Sequence, residues 1–450
     1  MALAEAAVEG VELENFNKQI PDLIYSGKTL YNKFKSGAKT YPTANVTQRP
    51  STTAGTMSSR PAFVVPMRIQ SGAAITQGTG DGDSLGRGSG SLWISGDIAP
   101  IFLFSACEIT YLARMATDGP KRALVSVRAQ ELKNSLDSYL RGMEALFQGD
   151  ASGTLDQIPT TAVVSSNSGT GAQTSYISGM NNANQFQDQQ VIQVFPSIGG
   201  TTRGTATISY VDGVTNTLYF STVLPSTGGA TAVGDYLMVN GTSATSVGSA
   251  NSSIAGIKTY QTNSTTGNVL GINRANYPSR LSTPNINLQG NFVSPSVPFR
   301  ANILIDRALG PDTEEAESLT WYTGPDQELA INNLFQNVVI ANMQEVKGEN
   351  SLDMVKKYMP KTFGGRELLI GYNATPGRID GLTFATWGIA EMKEPSLYDF
   401  GNGVTTMPVV DTATGGYLTS SIFYYNAALN LFNSNMRSGV YVSSCGIPSI

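Results

Sequence analysis

The sequence contains no histidine among its 450 residues. This absence excludes a Ser-His-Asp triad, a Cys-His pair and every metal site built on imidazole ligands. Cysteine occurs only at Cys107 and Cys445, so a four-sulfur zinc site is impossible. We expect two buried thiols, with a disulfide or a reactive thiol as the alternatives. Acidic side chains remain, but no motif gathers them, and we predict no enzyme, metal or cofactor.

Charged residues are also scarce, at 14% of the chain against about a quarter in average globular proteins. The net charge of -5 provides no basic balance for tight nucleic-acid binding. Many Gly, Ser, Thr and Asn residues favour a β-rich fold with numerous turns. Low charge also suits a subunit that buries much of its surface against copies of itself, where unpaired charge is costly.

Long apolar runs are missing as well. No run approaches the roughly 18 residues that a membrane span needs. The first residues carry acids where a signal peptide would carry basic side chains. We therefore expect synthesis and assembly in the cytoplasm, without a membrane partner.

Residues 1–60 are predicted to form an arm. Asp22 can cap a short amphipathic helix after Pro21. Its apolar side would hold Leu23, Leu30, Tyr31 and Phe34. Its basic side would hold Lys28, Lys33, Lys35 and Lys39. Such lysines could contact phosphates weakly and without sequence specificity, with a solvated helix face as the alternative.

A long hairpin is predicted after the arm. Phe63, Val65, Met67 and Ile69 alternate as in a half-buried strand, and two prolines restrict that strand to an edge or a projecting ribbon. Seven glycines follow between Gly72 and Gly90. Strand character resumes at Leu92 and Trp93, which completes a strand–tip–strand pattern. Arg87 is the one cation of the tip and could pair with an acid on a neighbouring chain or remain solvated.

The periodicity becomes helical from Pro120 to Gln148. Pro120 suits the first turn and Gly149 suits the C-terminal cap. At 1.5 Å per residue this helix would be roughly 40 Å long. Its single stripe is typical of a spine on which other elements pack: Leu124, Val127, Leu132, Leu136, Leu140, Met143, Leu146 and Phe147.

The rest of the chain predicts an α+β fold. Residues 160–190 are Ser-, Gly-, Asn- and Gln-rich and are expected to form loops, and short strands follow within 190–275. Helices are predicted at 296–309 and 326–346. Strands are predicted within 366–393 and 417–447, and they could pair with elements near the long helix.

This order of elements resembles the major capsid proteins of tailed bacteriophages with the Hong Kong 97 fold. Four stretches add to the resemblance: SGKTLYNKFKSG, GDASGTL directly after the long helix, GINRANYPSR, and TFATWGIAEMKEPSLYDF. The likeness covers most of the chain and is weakest at about 190–265, which looks like a β-rich insertion.

The resemblance implies a domain plan and a structural function. Residues 1–60 would be the N-terminal arm, 61–112 the E-loop hairpin and 113–155 the spine helix of the P-domain. Residues 156–365 would form the A-domain, and 366–450 late strands shared by both domains. Hexamers and pentamers would close an icosahedral head around double-stranded DNA, so the protein would reside in the virion.

The resemblance also implies partners and contact residues. The hairpin would lie over a neighbouring subunit through Phe63, Val65, Met67, Ile69, Arg87, Leu92 and Trp93. The arm lysines would face packaged DNA. Portal, scaffolding and decoration proteins would be further partners. Some family members crosslink through a lysine on the E-loop, but no lysine lies between Lys39 and Lys121, so no isopeptide bond is expected.

Three other functions remain as alternatives. A cellular encapsulin shares this fold, but the length and the insertion argue against it. A β-rich tail-fibre or secreted protein is at odds with the long helix and the lack of repeats. A hydrolase is disfavoured by the absence of histidine.

Overall fold

The structure is a computed structural model of the chain. It describes residues 29–37, 39–41, 46–49, 60–70, 72, 90–110, 127–166, 175–241, 253–309, 318–343, 362–401, 403–410 and 416–447.

The helices and strands are numbered in chain order. The helices are α1 (Thr29–Gly37), α2 (Val127–Phe147), α3 (Ile257–Tyr260), α4 (Ser296–Leu309) and α5 (Pro325–Met343). The first strands are β1 (Lys39–Tyr41), β2 (Val46–Arg49), β3 (Arg60–Gln70), β4 (Leu92–Ile98), β5 (Ile101–Thr110), β6 (Thr154–Gln157), β7 (Val163–Ser165), β8 (Ser175–Ser178), β9 (Val191–Phe195), β10 (Gly204–Asp212), β11 (Thr217–Phe220) and β12 (Tyr236–Val239). The later strands are β13 (Asn268–Val269), β14 (Ile272–Asn273), β15 (Asn285–Asn287), β16 (Leu319–Thr323), β17 (Thr362–Phe363), β18 (Arg366–Ile370), β19 (Ile379–Thr383), β20 (Trp387–Leu397), β21 (Met407–Val410), β22 (Tyr417–Asn433) and β23 (Val440–Ser443).

A five-stranded sheet, called here the main sheet, is organised by β22. This strand has 17 residues and pairs antiparallel with β5, β20 and β21. The short strand β1 adds to β20 in parallel. The register joins Ser420–Leu429 to β5, so the C-terminal strands do rejoin the elements around the long helix, as the sequence predicts.

Helix α2 packs across one face of the main sheet. The Tyr139 hydroxyl donates to the Leu103 carbonyl oxygen at 3.1 Å, and the Tyr425 hydroxyl donates to the Leu132 carbonyl oxygen at 2.8 Å. The two tyrosine rings stack at 6.1 Å. The Gly149 N–H donates to the Leu146 carbonyl oxygen at 2.9 Å, and the helix ends beside this glycine, as predicted.

The described part of the long helix is shorter than the predicted one. Helix α2 has 21 residues, which corresponds to about 31 Å. The predicted start at Pro120 lies outside the described residues. The stripe is confirmed from Leu132 onward, because Met143, Leu146 and Phe147 are buried and Leu132, Leu136 and Leu140 pack against the same core. Leu124 and the side chain of Val127 lie outside what the structure describes.

The arm contributes helix α1, which docks on α2 and β20. Leu30, Tyr31 and Phe34 are buried, which confirms the predicted apolar side. The Phe34 ring lies 5.8 Å from Phe147, 5.4 Å from Phe384 and 5.5 Å from Trp387. The predicted cap Asp22 and the apolar Leu23 lie outside the described residues. Packing against aromatic side chains from distant parts of the chain therefore fixes the arm helix.

The predicted hairpin is confirmed as part of a three-stranded sheet. Strand β3 pairs antiparallel with β4, from Phe63 opposite Ile98 to Gln70 opposite Leu92. Strand β2, which lies within the predicted arm, adds to the other edge of β3. The glycine-rich tip, including Arg87, lies outside the described residues.

A seven-stranded antiparallel sheet follows α2, in the order β6-β12-β9-β10-β11-β8-β7. The prediction of short strands within 190–275 is confirmed, with β9 to β12 as the longer ones. The loop predicted for 160–190 is wrong in part, because β7 and β8 lie there. Both strands are only three or four residues long and lie in a stretch rich in Ser, Gly and Asn, so their strand signal is weak. Pairing of Ser175–Ser178 with β11 supplies the order instead.

The third large sheet has the order β15-β23-β19-β16-β18-β17. Helix α4 packs on this sheet. The sequence predicts both α4 and α5 close to their observed bounds. The core of this sheet centres on Trp321, whose ring meets Phe363 edge-on at 5.4 Å. No helix among the described residues is long and apolar enough to cross a membrane.

The arm anchor can be tested by removing one ring. Phe34→Ala deletes a fully buried side chain and should destabilise the docked arm by about 3–5 kcal/mol, because the cavity lies among three other rings. Thermal unfolding and limited proteolysis of the purified protein measure this. Phe102→Ala is the matched control, since that ring is 57% exposed. Equal stability of the two variants would contradict the docking.

Candidate assembly surfaces

The alternating side chains of β3 face the interior of the chain. Phe63 and Val65 are 1% exposed, Met67 is 7% and Ile69 is 8% exposed. This differs from the expectation that the set contacts a neighbouring subunit. The sequence shows that one face of β3 is apolar, but it does not show what covers that face.

The cover comes from a segment about 200 residues later in the chain. The Asp97 N–H donates to the Leu270 carbonyl oxygen at 2.9 Å. A Cβ added at Gly96 would lie 2.8 Å from the Leu270 Cβ, so the absent side chain at Gly96 permits this approach. The base of the hairpin therefore packs against another part of the same chain.

Two of the predicted hairpin contacts do face outward. Leu92 is 39% exposed and Trp93 is 61% exposed, at the end of β4 nearest the tip. An exposed tryptophan beside a leucine leaves a substantial apolar area in water. Among the described residues of the predicted hairpin contacts, Leu92 and Trp93 are the two whose side chains another chain could reach.

A larger apolar surface lies on the main sheet, on the face opposite α2. Phe102 and Phe104 are 57% and 60% exposed. The Phe104 ring meets Tyr398 at 6.4 Å, Tyr398 meets Phe400 at 5.0 Å, and Phe400 meets Tyr424 at 5.9 Å. We call these five residues the aromatic face.

Sequence reasoning missed the aromatic face, although a signal was present. Residues 101–104 read IFLF, and four consecutive apolar residues are typical of a strand covered on both sides. The chain covers one side only, because Ile101 and Leu103 pack against the core below. An exposed apolar patch of this kind marks an interaction surface.

Two of the arm lysines pair with acids of the same chain. The Lys33 Nζ lies 2.7 Å from the Glu367 carboxylate, and the Lys35 Nζ lies 3.5 Å from the Glu394 carboxylate. Lys28 lies outside the described residues, and only the backbone of Lys39 is described. These exposed pairs contribute at most about 1 kcal/mol each. They nevertheless reduce the positive charge left for a phosphate partner, and contact with DNA stays a prediction.

The N-terminus of α1 is held by an acid of α2. The Leu30 N–H donates to the Glu144 carboxylate at 3.1 Å. Glu144 is 2% exposed, and burial raises its pKa to about 7 despite the opposing effect of that hydrogen bond. Its second oxygen has no hydrogen-bond partner in the described part of the chain. Sequence reasoning did not single out this residue.

Comparisons with known proteins concern the fold. No protein-family model matches the chain, and no curated protein matches it. The capsid asymmetric unit of cyanophage A-1(L) matches over 96% of this chain and 97% of that one, with a TM-score of 0.51 and 10% identity. This chain has a phage-capsid fold. The Gordonia phage Cozz also matches, over 96% of this chain and 90% of that one, with a TM-score of 0.46 and 8% identity. The capsid of a native GTA particle matches over 99% of both chains, with a TM-score of 0.45 and 12% identity.

The Glu144 contact makes this capsid-fold subunit sensitive to pH. A folded pKa raised above the unfolded value means that the stabilising contribution of Glu144 is full below about pH 4.5 and is lost as the pH rises through 7. Glu144→Gln keeps an acceptor for Leu30 and removes the buried charge. At pH 8 the free energy of unfolding of the variant should exceed that of wild type by a few kcal/mol. At pH 4.5 the two free energies should be equal. Chemical denaturation at both pH values measures this, and a difference that is independent of pH would contradict it.

The aromatic face should govern self-association. Phe102→Ser with Phe104→Ser should raise the dissociation constant of subunit contacts at least about tenfold, because two partly exposed rings no longer become buried. Sedimentation over a concentration series measures this. Val214→Ser, at a side chain 95% exposed in a turn of the seven-stranded sheet, is the control. If the double variant associates as wild type does, the aromatic face is not the interface.

Proposed function

We propose that this chain is the major capsid protein of a tailed bacteriophage. Many copies form hexamers and pentamers that close into an icosahedral head around double-stranded DNA. The single observation that carries the proposal is the match to a phage capsid chain over almost the full length of both chains. The aromatic face supports it independently, because a lone subunit leaves that face uncovered.

The elements acquire roles within this proposal. The hairpin of β3 and β4 acts as the E-loop, and it presents Leu92 and Trp93 to a neighbouring subunit. Helix α2 acts as the spine of the P-domain and holds the main sheet. The six-stranded sheet with α4 and α5 belongs to the A-domain, and the seven-stranded sheet is its insertion. The arm that contains α1 lies on the spine.

Assembly is non-covalent in this proposal. The hairpin carries no lysine, so the nucleophile of an isopeptide crosslink is missing there. Each contact is weak by itself, because a projecting ribbon of two or three strands has little stability alone. Repetition of the contact around closed rings makes the shell stable, since each further contact forms at a high effective concentration.

The remaining partners follow from the same role. DNA meets the inner surface only through weak, non-specific contacts, which suits a chain with a net charge of -5. A portal protein, and scaffolding or decoration proteins, are the further partners in this proposal. The protein resides in the virion and assembles in the host cytoplasm.

The hairpin tip provides the test. Deletion of Ile75 to Ser89 should leave folded, soluble subunits and abolish closed shells, because the tip completes the contact with the neighbouring copy. Electron microscopy of purified wild-type and deleted protein measures this. Double-stranded DNA inside wild-type particles from infected cells supports a virus head, whereas an enclosed enzyme supports the encapsulin alternative. Normal stable heads from the deleted protein would refute the assigned role of the hairpin.

A further inference from the structure

A cleft of about 300 Å³ lies beside the hairpin, between β3, the end of α4 and the turn at residues 434–437. Three arginines line it: Arg68, Arg280 and Arg437. They come from three separate parts of the chain, so the sequence alone does not bring them together. We call this site the arginine cleft. Its volume corresponds to about ten water molecules, which is enough for a hydrated anion to enter.

The arginine cleft has no counter-charge of its own. No acidic side chain lines it among the described residues. In that part of the chain, none of the three arginines forms a salt bridge or donates a side-chain hydrogen bond. Arg203, by contrast, is paired with the Asp235 carboxylate at 2.8 Å. Positive charges that are gathered without an acid attract an anion from outside the subunit.

Backbone hydrogen bonds anchor two of the arginines. The Arg437 N–H donates to the side-chain oxygen of Asn435 at 3.2 Å, and the Arg280 N–H donates to the Tyr277 carbonyl oxygen at 3.0 Å. Because its oxygen is used in this way, the Asn435 amide still has its N–H groups to offer as donors. The site therefore presents guanidinium groups and an amide from fixed backbone positions.

The lining favours a phosphate polymer over a single carboxylate. One carboxylate would neutralise only one of the three arginines. Double-stranded DNA carries a negative charge about every 1.7 Å along its axis, so one segment can meet several arginines at once. Guanidinium groups and side-chain amides are common partners of phosphate oxygens. Arg68 and Arg280 are exposed, which suits a ligand that touches the chain from outside.

The base of the arginine cleft indicates a contact without sequence specificity. Met67, Leu281 and Met436 form this base, and all three are buried. Their side chains carry no N–H or O–H donor. Such a base cannot read the edges of nucleobases, whereas phosphate contacts need no such reading.

We propose that the arginine cleft binds the phosphate backbone of the packaged double-stranded DNA. The inference rests on the proposed capsid function, and it assigns the DNA contact of that shell to this site. The arm lysines are less suited, because Lys33 and Lys35 already pair with acids of the same chain. A net charge of -5 repels DNA as a whole, so attraction has to come from a local cluster. The arginine cleft then opens on the inner surface of the shell.

The salt dependence of DNA binding tests the contact. The full-length wild-type protein should bind a short double-stranded DNA fragment at low salt and release it as salt rises. Arg280→Gln combined with Arg437→Gln should reduce the slope of log K against log salt by about two, because each lost phosphate contact lowers it by about one. Fluorescence anisotropy of the labelled fragment over a salt series measures the slope.

Two single variants complete the design. Arg280→Gln changes an exposed residue and should reduce the slope by about one, so the test remains valid if the Arg437 variant misfolds. Arg300→Gln removes the same charge from an exposed position of α4 that does not line the cleft, and its slope should match wild type. Thermal unfolding confirms the fold of each variant.

A second probe distinguishes DNA from an acidic protein segment. Polyglutamate with the same number of charges as the DNA fragment should bind wild type more weakly than the fragment does. If polyglutamate binds at least as tightly, and the double variant loses that binding, the ligand is an acidic protein segment and the proposal is overturned.

The outcomes separate this contact from the general function. If wild type forms shells but the double variant keeps the wild-type slope, the arginine cleft is not the DNA contact and the capsid function stands. The same conclusion follows if wild type forms shells and does not bind the fragment at low salt. Absence of wild-type shells counts against the function itself. An electron microscopy map of the filled head in which the cleft opens outward would also overturn the contact.

Discussion

The structure depends on the pairing of one long strand near its C-terminus. Strand β22 bonds to β5, from the first quarter of the chain, and to β20. Side chains on one face of this sheet then receive α2, through the hydrogen bonds of Tyr139 and Tyr425. The platform for α2, α1 and β1 is therefore incomplete until residues 417–433 are in place. Contacts over some 300 residues are slow to form, because much chain entropy is lost before the pairing compensates for it.

The same sheet leaves one apolar face uncovered, which supports the proposed assembly. Helix α2 covers one face, and Phe102 and Phe104 leave the opposite face apolar and exposed. A sheet that is apolar on both sides is stable in water only when both sides are covered. The fold of a single subunit meets half of this requirement. In the proposed shell, a neighbouring chain would cover the exposed face, so that assembly would continue the burial that folding begins.

Polar groups add selectivity to this apolar framework. Glu144 gives the arm helix a buried acceptor for its first turn, while Lys33 and Lys35 hold the same helix through exposed pairs. Burial makes the carboxyl contact dependent on pH, and exposure makes the lysine contacts sensitive to salt. Aromatic packing thus attaches the arm helix, and the charged contacts make the strength of that attachment depend on pH and salt.

Local patterns determined much of the fold. The alternation from Phe63 to Ile69 predicted β3, the helical period predicted α2, and the bounds of α4 and α5 were close to those observed. The absence of histidine and the lack of lysine in the hairpin likewise follow from the sequence alone. These features depend on residues within about 20 positions of each other, where side-chain periodicity directly reflects the geometry of helices and strands.

Only the tertiary structure decided which surfaces meet. It turned the apolar face of β3 toward Leu270, and it paired two arm lysines with Glu367 and Glu394. It also ordered the short strand β8 against β11, and β7 against β8. It also gathered Arg68, Arg280 and Arg437 in one cleft. A sequence shows that a residue is apolar or charged, but its partner is set by the pairing of strands far apart in the chain. Local periodicity contains no information about that pairing.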